Sequence, residues 1–265
     1  MLMEKLKQVD YATVTEITGA KITSEQLQRM YTRYRFASEF CNGKEVLEVA
    51  CGSGQGLGYL AKKARRVVGG DIDEDILQLP LKTYEGRGNI EIRFLDAHQL
   101  PFDDESFDVV ILYEAIYYLL RPERFLSEAR RVLRNNGVLL ICTANKDCPG
   151  FNPSPYSHKY FSAPQLFGLL TQDGFNDIRL FGDCPVIENT NKDKIIYLIK
   201  KIAVALHLIP KTMKGKELLK RVFIGRLTPL PPEIYDGITA YSPPVAIQYD
   251  SPNYRYKVLY AVGVK

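Results

Sequence analysis

The stretch VLEVACGSGQGLGYLA, residues 46–61, is the most informative part of the chain. Its apolar beginning is typical of a strand that is buried on both faces of a sheet, and its end has the composition of a helix. Between them lies a loop in which Gly52, Gly54 and Gly56 permit a tight turn and leave room for a ligand to approach the main chain. The stretch therefore predicts a strand, a ligand-binding loop and a helix.

The alternation of strands and helices continues along the chain. We predict strands at 44–50, 65–71, 90–97, 107–115, 136–145, 174–182 and 254–264, and helices at 54–64, 73–84, 122–134 and 163–173. Such alternation favours a mainly parallel sheet that is covered by helices on both faces and joined by right-handed crossovers. The sequence therefore predicts an α/β fold with seven strands.

Two helical additions flank this pattern. On the N-terminal side, apolar and aromatic residues recur at helical spacing after Ser24, the expected N-cap, within a helical cap at about 1–43. Before the last strand, an insertion at about 184–253 contains two predicted helices separated by Pro210. Residues 192–226 carry ten Lys or Arg against one Asp and one Glu, so this part of the insertion is basic.

The composition favours one globular domain over residues 1–265. Hydrophobic residues make up 46% and charged residues 25%, and the net charge of +4 gives no support to a nucleic-acid partner. The five cysteines lack a C-x-x-C spacing, so we expect neither a disulfide framework nor a metal site. No apolar stretch is long enough to span a bilayer and no leader is recognised, which favours a cytoplasmic enzyme.

A glycine-rich loop after a strand also occurs in nicotinamide-binding folds, as G-x-G-x-x-G with an acid about twenty residues later. Counted from Gly52, the third glycine of that pattern would fall at Leu57, so the fingerprint is incomplete. Asp71 ends a predicted strand nineteen residues after Gly52. Its carboxylate is suited to accept hydrogen bonds from ribose hydroxyls, although it could instead cap the helix that follows.

Three segments together resemble a known family. Residues 46–61 resemble motif I of class I S-adenosylmethionine-dependent methyltransferases, in which an acidic residue two before the strand end precedes a glycine-rich turn. FLDAHQLPFDDESFDVVILYEAIYYL (94–119) resembles the next two motifs, and EARRVLRNNGVLLICTAN (128–145) looks like the helix and strand that follow, with a turn at 135–137. The resemblance, which covers about 44–181, implies a Rossmann-like fold whose last strand is antiparallel and lies between the fifth and sixth strands.

The resemblance also implies a cofactor, S-adenosylmethionine, with S-adenosylhomocysteine as the product. Asp71 would bind the ribose, Ile72 would pack on the adenine, and Asp96 with the Ala97 amide would bind the adenine edge. The N-terminal helix is similar to one that covers the methionine moiety in related enzymes. The predicted cofactor-binding residues are Tyr31, Arg33, Ala50, Gly52, Gly54, Asp71, Ile72, Asp96, Ala97 and Tyr113.

The candidate catalytic residues are Glu114 and His158. The methyl group of S-adenosylmethionine is already activated, so the protein needs chiefly to align a nucleophile and exclude water. Glu114 is predicted beyond the carboxyl end of a strand, where open α/β sheets bind ligands, and could otherwise cap a helix. His158 lies in a loop that resembles a segment near the acceptor in small-molecule methyltransferases, and could otherwise face solvent. The predicted substrate residues are Tyr117, Tyr118, Tyr156 and Tyr160.

The acceptor is predicted only by class. The fourth strand ends in LYEA and lacks the Asn/Asp-Pro-Pro-Tyr box of amino-directed DNA methyltransferases, which disfavours a nucleic acid. We expect methyl transfer to an O or N atom of a small molecule or natural product. One alternative is a peptide or lipid-linked acceptor docked on the basic insertion, with peripheral membrane contact. Another is a nicotinamide-dependent reductase or a non-catalytic nucleotide binder, and a homodimer is left open.

Overall fold

The structure, a computed structural model, describes residues 15–186 and 227–265. Its helices are α1 (Ser24–Ala37), α2 (Leu57–Ala61), α3 (Glu74–Thr83), α4 (Pro122–Val132) and α5 (Ala163–Gln172). Its strands are β1 (Lys21–Ile22), β2 (Glu45–Val49), β3 (Arg66–Asp71), β4 (Ile90–Phe94), β5 (Phe107–Tyr113), β6 (Leu133–Ala144), β7 (Asn176–Pro185), β8 (Thr228–Pro229), β9 (Val245–Ile247) and β10 (Tyr256–Val264). Strands and helices alternate over most of the described chain, as predicted.

Eight strands form one mixed sheet in the order β4-β3-β2-β5-β6-β10-β7-β9. The strands from β2 to β6 are mutually parallel, whereas β10 is antiparallel to its neighbours β6 and β7. The Rossmann-like fold and the place of the last strand are therefore confirmed. The predicted count of seven strands is one too low, because the three-residue strand β9 pairs with β7 at the edge. A strand this short leaves little periodicity for a sequence pattern to reveal.

The central strands are buried on both faces of the sheet. In β2, Leu47 and Val49 pack in the core that α4 and α5 cover, whereas Val46 packs in the core that α1 and α2 cover. Adjacent residues of a strand point to opposite faces, so each central strand contributes side chains to both cores. This two-sided burial explains why these strands are continuous apolar runs in the sequence.

Among the boundaries that differ from the predicted ones, three have a clear local cause. Helix α1 is capped by Thr23, not Ser24, because the Thr23 hydroxyl and the Gln26 side chain cap each other's backbone N–H groups. Helix α2 begins only at Leu57, because the glycine turns occupy the residues before it. Strand β6 begins at Leu133, so the predicted turn at 135–137 lies inside the strand, with Asn136 in the left-handed region at φ 63°.

Much of the predicted helical insertion falls outside the described residues. Both helices expected between 192 and 226 belong to the part of the chain that the structure does not describe. The described remainder of the insertion, 227–253, contains the strands β8 and β9 and no helix. The predicted N-terminal cap is described from residue 15 onward and contains β1 and α1. Within the two described ranges, none of the helices is long and apolar enough to cross a bilayer.

Candidate functional site

A cavity of about 320 Å³ lies at the carboxyl ends of the parallel strands, with residues of α1 along one side. This is the edge at which open α/β sheets bind ligands. Many predicted site residues line the cavity: Arg33, Ala50, Gly52, Asp71, Ile72, Asp96, Ala97, Tyr113, Glu114, Tyr117 and Tyr118. The fold therefore brings together residues that are more than eighty positions apart in the sequence, such as Arg33 and Tyr118.

The loop between β2 and α2 has an unusual backbone. Ala50, Gly52 and Gly54 adopt positive φ angles of 58°, 56° and 75°. This conformation is costly for a residue with a side chain, such as Ala50, and persists where the surrounding structure enforces it. A side chain at Gly54 would place its Cβ 2.7 Å from Pro80 of α3. Gly54 therefore lets the loop pack on α3, and it is not among the residues that line the cavity.

Asp71 ties this loop to the end of β3. Its carboxylate is buried, with 9% of the residue exposed, and it accepts hydrogen bonds from the N–H groups of Gly52 (2.9 Å) and Asp73 (3.1 Å). Burial raises the pKa of Asp71 above its ordinary value, while these two hydrogen bonds act in the opposite direction. The N-cap of α3 is Asp73, which accepts from the N–H groups of Asp75 and Ile76. The alternative in which Asp71 caps the helix is therefore wrong.

Leu57 explains why the dinucleotide fingerprint is incomplete. Its side chain is fully buried and occupies the space in front of Gly69 on β3, where an added Cβ would lie 2.5 Å from Leu57 Cδ1. In nicotinamide-binding folds, the third glycine of the loop permits close packing of helix and strand. In this protein the glycine is on the strand and the large side chain is on the helix.

Glu48 is a functional candidate that the sequence analysis did not assign. Only 1% of it is exposed, yet it lines the cavity from within β2. The Tyr34 hydroxyl donates a 2.7 Å hydrogen bond to Oε1, whereas Oε2 is buried without a partner among the described residues. Burial raises the pKa of Glu48 to about 7, opposed by the hydrogen bond from Tyr34. A carboxylate inside an otherwise apolar strand was the sequence signal for this residue.

Glu114 anchors a cluster of charges between α1 and the end of β5. Its Oε1 lies 3.0 Å from Nη2 of Arg29 and 3.6 Å from Nη1 of Arg33, and the Tyr117 hydroxyl donates a 3.1 Å hydrogen bond to Oε2. The pKa of both arginines lies above its ordinary value: burial acts to lower it, and the Glu114 charge is the largest of the contributions that raise it. Glu114 has a φ of 52°. The carboxylate pairs with α1, so its role is not that of a helix cap.

Asp96 and Ala97 follow β4 at the same edge of the sheet. Asp96 Oδ1 accepts a 2.8 Å hydrogen bond from the His98 backbone N–H and lies 2.8 Å from His98 Nδ1. His98 also lines the cavity, although the sequence analysis gave it no role. Asp96 and Ala97 therefore both line the cavity, and a local turn holds the Asp96 carboxylate.

Five predicted site residues lie outside the cavity lining. Gly54 packs on α3, as described above. Tyr31 is buried, and its hydroxyl donates to Asp236 at 3.1 Å. His158 is exposed, and its backbone N–H donates a 2.7 Å hydrogen bond to the Tyr117 carbonyl. The remaining two are Tyr156, which is exposed, and Tyr160, whose ring stacks on Tyr117 with centroids 4.4 Å apart.

The charges around the cavity suit a cation. Among the described residues, its lining contains two arginines, Arg29 and Arg33, and five carboxylates: Glu16, Glu48, Asp71, Asp96 and Glu114. One of these carboxylates, Glu48, has a buried oxygen without a partner in the described structure. A ligand with an ammonium or sulfonium group would supply the missing positive charge, whereas a diphosphate would be repelled.

A Rossmann-like sheet with an antiparallel last strand, and an acidic cavity at a glycine-rich loop, defines the class I methyltransferase architecture. Residues 47–141 match the family model described as "Methyltransferase domain". Residues 47–141 are therefore similar to a methyltransferase domain, and the sheet around them has the fold of the class I enzymes. The resemblance to this family, whose named relatives are described as S-adenosylmethionine-dependent, is confirmed.

Two curated methyltransferases are similar to this chain in sequence. A probable S-adenosylmethionine-dependent methyltransferase of Mycobacterium tuberculosis is 32% identical over 170 residues, which are 63% of this chain and 61% of the relative. A phthiotriol/phenolphthiotriol dimycocerosates methyltransferase from the same species is 43% identical over 97 residues, 36% of each chain. The chain thus spans less than two thirds of the length of either relative.

Solved structures agree on the fold. The [4+2]-cyclase SpnF has a TM-score of 0.57 with this chain at 16% identity, over 95% of this chain and 87% of the cyclase. The comparison supports the architecture of the whole sheet. Since one fold can carry different chemistry, the reaction has to be argued from the site.

Proposed function

We propose that this protein transfers the methyl group of S-adenosylmethionine to an O or N atom of a small-molecule or natural-product acceptor. The observation that carries the proposal is the acidic cavity at the left-handed 50–54 loop, where Asp71 fixes the loop and Glu48 presents a buried oxygen without a partner in the described structure. A small cationic ligand with a ribose is the kind of molecule for which such a lining is suited.

The cavity residues fit the parts of this cofactor. Asp71, Asp96 and Ala97 all line the cavity, where Asp71 would bind ribose hydroxyls and Asp96 with the Ala97 amide would bind the adenine edge. Arg33 is positioned for a carboxylate: only 12% of its side chain is exposed, and its buried Nε has no partner in the described structure. The bound cofactor supplies an electrophilic methyl group on a sulfonium. The protein's own contribution is to orient the acceptor and exclude water.

The acceptor would enter beside Glu114. Tyr117, Tyr118 and Leu119 line the cavity there, so this end combines aromatic and apolar surface with a carboxylate. Glu114 can accept a hydrogen bond from an acceptor hydroxyl or amine and hold its proton at a carboxylate oxygen. We therefore retain Glu114 as the catalytic candidate. His158, Tyr156 and Tyr160 stay predictions, as do a cytoplasmic location and a homodimer.

A lipid-linked acceptor is the second candidate. The observation that favours it is the 43% identity to a phthiotriol/phenolphthiotriol dimycocerosates methyltransferase. The basic stretch predicted to dock such an acceptor lies outside the described residues, so its part in the proposal rests on the sequence alone. Sedimentation with vesicles of anionic phospholipid, compared with neutral vesicles, separates this candidate from the first. Salt-sensitive binding to the anionic vesicles alone would favour it.

The decisive experiment for the cofactor is calorimetric titration with S-adenosylmethionine, S-adenosylhomocysteine and NADH. We expect both adenosyl ligands to bind with a dissociation constant in the micromolar range, which corresponds to about 8 kcal/mol. NADH carries a diphosphate, which the acidic lining disfavours, so we expect no measurable heat. NADH binding without binding of the adenosyl ligands would overturn the proposal and restore the reductase alternative.

A further inference from the structure

Residues 228–238, which we call the strap, contact the outside of residues 50–56, the loop between β2 and α2 that we call the cofactor loop. The strap begins with β8, which pairs antiparallel with β1. Two further backbone hydrogen bonds continue this pairing, from Gly19 N–H to the Leu230 carbonyl (2.8 Å) and from Leu230 N–H to the Ala20 carbonyl (2.9 Å). Leu230 is 1% exposed. The strap and the segment 15–22 therefore form one backbone-paired unit on the surface of the domain.

This unit holds Gln55, the residue at the end of the cofactor loop, from two sides. The Ile234 N–H of the strap donates a 3.0 Å hydrogen bond to the Gln55 carbonyl. From the other side, the Gln55 side chain donates through Nε2 to the Glu16 carbonyl at 3.0 Å and to the Ser53 hydroxyl. Gln55 is almost fully buried. Its backbone and its side chain are thus both fixed by groups that lie outside the loop.

The strap packs on α1 and α2, the two helices next to the loop, through apolar and polar contacts. The Ile234 side chain is fully buried in the core that α1 and α2 share. The Glu233 carboxylate, paired with Arg87 at 2.6 Å, lies directly over Gly58, where an added Cβ would approach it to 2.4 Å. The absence of a side chain at Gly58, in the first turn of α2, is therefore explained by the strap. It is not explained by a ligand.

Asp236 links the same two helices. Its Oδ1 accepts hydrogen bonds from the hydroxyls of Tyr31 on α1 (3.1 Å) and Tyr59 on α2 (2.5 Å). These hydrogen bonds hold the pKa of Asp236 below its ordinary value, with Tyr59 as the main cause. Asp236 is exposed, so each bond contributes modestly, but together they fix the end of the strap across both helices.

We infer that the strap positions the cofactor loop from outside the cavity, with Ile234 as the positioning residue. The loop needs such support, because its left-handed residues are stable only where neighbouring groups enforce them. Loosening the strap releases the Gln55 carbonyl, and with it the Gly52 N–H that faces Asp71. The affinity for the cofactor then falls although no residue of the strap lines the cavity. This last step rests on the proposed function.

The test compares Ile234→Ala, the conservative Ile234→Val and the matched control Val132→Ala. Val132, the last residue of α4, is fully buried in the opposite core, so its truncation lowers stability without touching the loop. Calorimetry measures the dissociation constant for S-adenosylhomocysteine well below the unfolding temperature of each variant. We expect about a tenfold increase for Ile234→Ala, and changes of less than about threefold for Ile234→Val and Val132→Ala.

Hydrogen exchange in the ligand-free protein gives a second readout, which does not depend on any ligand. Amides of residues 50–56 should exchange faster in Ile234→Ala than in wild type, and at the wild-type rate in Val132→Ala. The inference is overturned if the loop exchanges at the wild-type rate in Ile234→Ala, or if both alanine variants behave alike. A wild-type protein that fails to bind S-adenosylhomocysteine, but shows the expected exchange pattern, would instead refute the proposed function and leave the positioning role intact.

Discussion

The backbone N–H of Gly52 donates a 2.9 Å hydrogen bond to Oδ2 of Asp71, which joins the loop after β2 to the end of β3. One carboxylate therefore shapes the loop and also remains at the cavity wall, where a ribose can reach it. A residue with both tasks should be sensitive to substitution in two separate measurements, ligand binding and loop order.

Asp71→Ala should weaken the binding of S-adenosylhomocysteine at least tenfold. A hydrogen bond to a charged group is worth about 1.5–3 kcal/mol, and 1.4 kcal/mol is a factor of ten. Calorimetry measures the loss. Asp73→Ala is the matched control, since this carboxylate caps α3 and its loss should cost about 1 kcal/mol of stability while leaving the affinity unchanged. Equal effects of the two substitutions on affinity would contradict the role given to Asp71.

Glu48 should make the stability of the ligand-free protein fall between about pH 4.5 and pH 7. Its pKa is raised to about 7 in the folded state, so the folded protein holds a proton that the unfolded chain has released in this window. The stabilisation by this proton is fully present below the pKa of Glu48 in the unfolded chain. It is lost as the pH rises through the pKa of Glu48 in the folded protein. Urea unfolding of Glu48→Gln should therefore match wild type at about pH 4 and exceed it by about 1–3 kcal/mol at pH 8.

Gly56→Ala should destabilise the protein by about 2 kcal/mol or more, because an added Cβ would lie 1.9 Å from the Tyr34 ring. Tyr34 also donates to Glu48, so the displaced ring would disturb the cavity as well. Gly88→Ala is the control, since an added Cβ there meets nothing within 4 Å. Thermal unfolding of the two variants measures the difference, and a Gly56→Ala protein as stable as Gly88→Ala would refute this packing.

Glu114→Ala should cost more stability than Glu114→Gln. The alanine leaves Arg29 and Arg33 without their shared carboxylate, and a mostly buried charge that loses its partner costs about 3 kcal/mol. Glutamine keeps one acceptor oxygen, for either the arginines or the Tyr117 hydroxyl, so the loss should be smaller. Urea unfolding at neutral pH measures both. If the two variants were equally stable, the arginines would have found other partners, and Glu114 would not be needed to stabilise them.

The lining of the cavity at the strand ends was largely predictable from the sequence, because it is built from local motifs. The loop glycines, Asp71 and Asp96 all follow strands whose carboxyl ends meet at one edge of the sheet, so strand prediction alone brought them together. The central strands were predicted to within a few residues for the same reason. Each is a long apolar run bounded by turn residues.

Contacts between distant segments could not be predicted in this way. Tyr31 was assigned to the cofactor from its place on α1, but its hydroxyl bonds to Asp236, 205 residues later in the chain. Arg29 received no role, because nothing near it in the sequence indicates its partner Glu114, 85 residues away. Such pairings depend on how the strap and helices pack, and a periodic pattern carries no information about that.

The insertion of β10 between β6 and β7 constrains the order in which the sheet can be assembled. Among the described strands, β7 is connected to the parallel half only through β10, and the pair Ala144 and Val258 brings together residues that are far apart in the sequence. Closing so large a loop is slow. During synthesis, the strands from β2 to β6 can pair before β10 has left the ribosome, whereas β7 waits with its edge uncovered. A nascent chain of this protein should therefore need protection from aggregation between the synthesis of β7 and the emergence of β10.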